Sequence, residues 1–150
     1  MDAEISNKIL APLDRHRIMT VATLRPDGWP QATTVGCANE GLTLYFLCGL
    51  DSQKAANLAR NNRLSLAIDH DTPDLMTIAG LSMAAYAQAV SDRNEADKTL
   101  HLLSLEDPEN IAAPVPTPTP EDVRIFRVTP TVISVLDYCK GFGHTDLVTC

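Results

Sequence analysis

Two turn signals constrain this chain more than any other feature. In Pro26-Asp27-Gly28 the proline presets φ and Asp-Gly accepts positive φ, and Asn39-Glu40-Gly41 offers a second tight turn. Arg17 to Leu24, Gln31 to Ala38 and Leu42 to Leu47 flank them, each rich in β-branched and apolar residues. Connections this short join neighbouring strands head to tail, because a parallel crossover needs a dozen or more residues. The three runs therefore predict an antiparallel meander.

The third run leads into the stretch that carries chemistry. After Leu42 to Leu47, Cys48-Gly49-Leu50-Asp51-Ser52 breaks the strand, and Ser52 or Asp51 can cap a following helix. Gln53 to Arg60 predicts two helical turns with Ala55, Leu58 and Ala59 on one face, and Asn61-Asn62 stops them. Arg63 to Ile68 alternates apolar and polar positions and returns as a strand. Free N–H groups in the first helical turn, the Ser52 hydroxyl and the Lys54 ammonium can converge on one anion, for which a phosphate monoester is the natural guest. Locally, Ser-x-Lys is a common pattern, and a plain cap at Ser52 with a solvated Lys54 is the favoured reading.

The remaining chain adds strands and two more helices. Ser6 to Arg15 predicts an amphipathic helix with Ser6 as N-cap and Ile9, Leu10 and Leu13 on its apolar side. Asp69 to Asp74 reads as a polar loop; its acids and His70 lack the second ligand cluster that a metal site needs, so no metal is expected. The alanines of Met76 to Val90 suit a helix, but Thr77, Ile78 and Gly80 favour a bent or bulged strand. Asn94 to Leu105 predicts a helix, started by Asp92 or Asn94. Asp107 to Pro120 holds five prolines and predicts an extended crossover. Val123 to Val128 and Thr131 to Leu136 read as strand, with Pro130 marking an edge, a bulge or a kink. The tail from Asp137, including Gly141-Phe142-Gly143-His144, is expected to be irregular.

These elements predict a mainly β fold: a six- to seven-stranded antiparallel split β-barrel with flanking helices, forming one domain over residues 1–150. Closure is the simplest way to hide strand edges. A hydrophobic share of 45% and a charged share of 21% fit a globular chain of this kind. The formal charge of −7 argues against a nucleic-acid binder, though not against a small anionic ligand. No apolar run reaches membrane-spanning length and the polar N-terminus lacks a signal peptide's pattern, so a cytoplasmic protein is expected. Cys37, Cys48, Cys139 and Cys150 are too scattered to suggest a disulfide framework or zinc site.

The ordered set of Thr20 to Pro30, the meander, Ser52 to Leu58 and Asn62 to Leu66 resembles the pyridoxamine 5'-phosphate oxidase-like flavin-binding split barrels. The resemblance runs from the N-terminal helix through Leu136. It implies a homodimer with FMN at each of two sites along the subunit interface. Ser52 and Lys54 match positions that contact the FMN phosphate, and Gln53 stands where the oxidases proper carry arginine. Thr33, Thr34, Val35 and Gly36 match the strand whose backbone runs beside the flavin ring. Leu47 and Cys48 match the strand end before the phosphate loop. The only tryptophan is Trp29, and no arginine follows Asp137, which argues against vitamin B6 oxidation.

The function this implies is an FMN-dependent oxidoreductase acting on a small molecule or electron donor, with no side chain required as nucleophile. A non-catalytic flavin-binding or stress-related module, or a barrel using deazaflavin or haem, is the alternative. Tyr138, Phe142 and His144 are candidates to close over the flavin from the tail, although for His144 a solvated tail residue is the favoured reading. Trp29 either lines the pocket or anchors its turn against the partner subunit. His16, His70 and His101 lack the paired acid or cysteine that would argue for catalysis.

Overall fold

A computed structural model describes residues 1–105 and 118–150. Its strands are β1 (Ile18–Leu24), β2 (Pro30–Glu40), β3 (Thr43–Gly49), β4 (Arg63–Asp69), β5 (Ala79–Ala89), β6 (Val123–Asp137) and β7 (Thr145–Thr149). They pair antiparallel in the order β3-β2-β1-β4-β5-β6-β7, and β3 also pairs with β6. That closing contact makes β1–β6 a six-stranded barrel and leaves β7 as an extra strand on β6. Helices α1 (Ala3–Arg15), α2 (Gln53–Arg60) and α3 (Arg93–Leu105) flank the sheet. The expected mainly β split barrel and meander are both present.

Alternation along the strands decides which side faces inward. Met19, Val21, Leu66, Met83 and Ile133 are almost fully buried, and Phe46 stacks on Phe126 with ring centroids 5.3 Å apart. Each such side chain contributes about 1.5–3 kcal/mol by leaving water. The outward positions are small. One row crosses six paired strands as Thr34, Thr20, Ala67, Ser82, Ser134 and Leu147, and none of these residues is buried. Ile18, Leu24, Val132 and Leu147 are exposed on the same strands.

The barrel opens between β2 and β3. These strands pair only from Cys37↔Phe46 to Glu40↔Thr43. Below that, Pro30 to Gly36 pair with β1 alone, and Leu47 to Gly49 pair with β6 alone. The β3–α2 loop and the start of α2 follow directly from the separated end of β3.

Several boundaries differ from the sequence expectation. The first helix begins at Ala3, not near Ser6, because Asp2 adopts an extended backbone and its carboxylate accepts the Ile5 N–H at 2.9 Å. The run from Met76 is not strand at its start: Leu75–Thr77 forms a 3₁₀ turn capped by Asp74, and strand begins at Ala79. Gly80 there is required by space, since an added Cβ would lie 2.6 Å from the Ile68 carbonyl oxygen. Of the options at Pro130, the bulge occurs: β6 is continuous, with Ala85 opposite Pro130 and Ala84 opposite Val132.

The tail is not irregular. Gly141 and Gly143, both at positive φ, turn the chain so that Thr145–Thr149 pairs with β6, and Val148 packs against the core. Asp92 starts α3, its carboxylate accepting from Glu95 N–H at 3.2 Å. The proline-rich crossover expected over Asp107 to Pro120 lies, through residue 117, outside the described residues.

Candidate functional site

The first turn of α2 is built by its cap. Ser52 is extended, and its hydroxyl oxygen accepts the Ala55 N–H at 3.3 Å while its carbonyl accepts Ala56 N–H at 3.2 Å. The N–H groups of Gln53 and Lys54 have no acceptor among the described residues. No acid stands in this turn, and the half-buried Lys54 forms no ion pair among the described residues. A helix N-terminus carries partial positive charge, so these groups form a positive corner without a counter-ion among the described residues.

The expected flavin strand, Thr33 to Gly36, flanks the opening. Thr33 and Val35 point inward, and Thr34 and Gly36 lie on the outer small-residue face. Cys37 donates its N–H to Arg17 at 2.8 Å, which fixes the hydrogen-bond parity with β1. By alternation, Ala32 and Thr34 turn their backbone N–H and C=O away from β1, toward the side where β3 has separated. The Thr33 hydroxyl oxygen is buried without a hydrogen-bond partner among the described residues. Cys48 is buried in the barrel, whereas Leu47 faces the other way and packs with Ala96, Leu100 and Ile125.

A polar cluster ties α2 to this strand. Asn57, only 1% exposed, donates to Thr23 Oγ1 at 3.0 Å and to Gln31 Oε1 at 3.3 Å, and accepts from Gln53 Nε2 at 2.8 Å. Asn57, not Ala59, completes the inner face of α2; Ala59 is exposed. The difference is physical: an apolar pattern cannot show that Asn57 is fully bonded where it is buried. The signal available in sequence was a lone asparagine at a core-facing helical position.

Other candidates lie elsewhere. Val123 pairs with Gly49 beside the β3–α2 loop, and Tyr138 follows the far end of the same 15-residue strand. Tyr138, Phe142 and His144 are thus not brought to the α2 corner of their own chain. Tyr138 and Phe142 meet edge to face at 5.6 Å. His144 Nε2 lies 3.2 Å from Asp146, and this hydrogen bond holds the Asp146 carboxyl below its ordinary range. Trp29 is 70% exposed at the β1–β2 turn. His16 is spent on the Pro12 carbonyl through Nδ1 at 2.7 Å. No group of three or more metal-ligating side chains occurs among the described residues.

The family model for pyridoxamine 5'-phosphate oxidase matches residues 5–136. The chain belongs to that family. Among curated proteins, no sequence matches it. A Listeria innocua structure named for pyridoxamine 5'-phosphate oxidase shares 22% identity, covering 89% of this chain and 98% of its own, with a TM-score of 0.71. A haem-binding protein from Mycobacterium smegmatis shares 18% identity over 99% of this chain and 59% of its own, with a TM-score of 0.73. An F420 reductase shares 23% identity over 83% of this chain and 94% of its own, with a TM-score of 0.64. Likeness at these identities concerns the fold, which therefore serves flavin, deazaflavin and haem proteins alike. No helix among the described residues is long and apolar enough to cross a membrane.

Proposed function

We propose that this chain binds FMN at the α2 corner, at two equivalent sites along a homodimer interface, and acts as an FMN-dependent oxidoreductase. The observation that carries the reading is a cation without an ion pair and two backbone donors without acceptors among the described residues, near the open edge of β2. Lys54 and the Gln53 and Lys54 N–H groups would hold the phosphate, with the Ser52 hydroxyl free to donate while its oxygen caps the helix. Ala32 and Thr34 offer backbone donors and acceptors to the polar edge of a flavin ring. The buried Thr33 hydroxyl, without a partner among the described residues, adds another polar group on the same strand. These groups suit the cofactor's chemistry.

The broad outer face of small residues, edged by Ile18, Leu24, Val132 and Leu147, supports the dimer, because such a surface loses little on exclusion of water by a second copy. When bound, FMN supplies hydride and electron transfer; the chain orients it and keeps water from it. The reacting partner is a small molecule or an electron donor such as a reduced nicotinamide. The four free cysteines fit a reducing compartment, and this reading assigns the protein to the cytoplasm.

The test is a visible absorption spectrum of the purified protein, as isolated and after FMN addition and desalting. Retained flavin bands near one per chain are expected. A colourless protein that releases all added FMN overturns the reading. A haem or deazaflavin spectrum replaces the cofactor while leaving the family assignment intact.

A further inference from the structure

We infer that Arg124 is the second cation of the phosphate-binding corner, taking the place that neutral Gln53 leaves open; the inference rests on the FMN reading above. A phosphate monoester carries close to two negative charges near neutral pH, with its second pKa at about 6. Gln53 contributes no charge, and its amide nitrogen is already donated to Asn57 at 2.8 Å. Lys54 balances one charge only.

Arg124 stands where the other can be balanced. It pairs across the ladder with Cys48, the residue before Gly49, whose carbonyl accepts the Ser52 N–H at 3.1 Å. Directly opposed residues share a face of the sheet, so Arg124 lies on the same side as buried Cys48, at the barrel mouth that α2 covers. Arg124, Ser52 and the exposed face of α2 at Ala56 line one cavity of about 870 Å³.

The two arginines of that cavity differ. Arg127 is held by Glu95 at 2.6 and 2.8 Å and by Gln88 at 3.0 Å. The exposed Arg124 guanidinium has neither an ion pair nor a hydrogen bond among the described residues. Asp51, the one acid among the residues lining the cavity, is not paired with it. A guanidinium presents several donors in a rigid fork that matches a phosphate. Arg127 is therefore structural and Arg124 is the available phosphate partner.

Dissociation constants for FMN and for riboflavin, which lacks the phosphate, test this on the purified protein by flavin fluorescence. Arg124→Gln should weaken FMN binding about tenfold and leave riboflavin binding unchanged. Arg124→Lys should restore part of the loss by keeping the charge. An unchanged FMN-to-riboflavin ratio in Arg124→Gln, with Lys54→Ala lowering that ratio, removes Arg124 from the site and leaves the FMN reading standing. A parallel loss of both ligands makes Arg124 structural and overturns the inference. Wild-type protein that binds neither flavin sinks the FMN reading and this inference with it.

Discussion

The two ends of the barrel treat charge in opposite ways. Where α1 meets the tail, positive groups are matched internally. Lys8 lies 3.2 Å from Glu4 and 3.1 Å from Asp137, and Lys140 lies 3.6 Å from Glu4 and 3.7 Å from Asp146. His144 adds its contact with Asp146. At the α2 end, Lys54 and Arg124 have no acid partner among the described residues, and two backbone N–H groups point outward with them. The first arrangement fastens the N-terminal helix to the C-terminal strand. The second leaves positive charge for something the chain does not contain. In a protein of net charge −7, cations without an acid partner among the described residues, on the helix and strand that meet at this end, are the feature on which the proposed ligand site rests.

The largest expected difference between the ends is in ligand affinity. Lys54→Ala should weaken FMN by roughly 10- to 100-fold, the worth of one charge-assisted hydrogen bond of about 1.5–3 kcal/mol. Titration of FMN fluorescence reads this directly. Lys8→Met, which removes a cation of the paired end, should leave FMN affinity where it was. Equal effects from the two substitutions would erase the distinction drawn above.

Stability separates the regions next. Asn57→Ala leaves Thr23 and Gln31 short of a buried donor and should cost about 1–3 kcal/mol in urea unfolding. It should also loosen FMN, because α2 loses its tie to β2. A variant as stable as wild type would show that water replaces the amide and that the cluster is not a strut. Gly80→Ala, at the α1 end, pushes a Cβ against the Ile68 carbonyl and should cost about 1–3 kcal/mol, with FMN affinity per folded molecule unchanged.

The smallest effect is a pH response confined to the tail. The His144 hydrogen bond lowers the Asp146 pKa from its ordinary 3.8, so the folded state binds that proton less readily than the unfolded chain. Its stabilisation is complete above 3.8 and disappears as pH falls through the lowered value. Amide protection in β7, measured as the intrinsic exchange rate at each pH divided by the observed one, should therefore fall on acidification below about pH 4, ahead of protection in β1. His144→Ala should remove that early response; simultaneous loosening of both strands would show that β7 is not a separate unit.

Much of this was legible in the residues because it is local. Asp27-Gly28 and Asn39-Glu40-Gly41 specify turns through backbone sterics, and the alternation in Arg63 to Ile68 specifies a strand with one wet face. Ser52 declares a helix cap, and Lys54 declares a cation beside it. The tail misled because five residues, Thr145 to Thr149, become strand only through β6 waiting beside them. Asn57 misled because its burial is satisfied by Thr23 and Gln31, which are distant in the chain.

The sequence by itself determined the antiparallel meander, the capped helix and the presence of Ser52 and Lys54 at its start, since each depends on interactions within a few residues. Tertiary structure alone decided where β2 and β3 part, that Gln53 is tied to Asn57, and which cations remain unpaired. Arg124 and Arg127 stand three residues apart on one strand and look alike in sequence. They differ because Glu95 on α3 reaches one and not the other, and that depends on how the helices pack against the closed barrel.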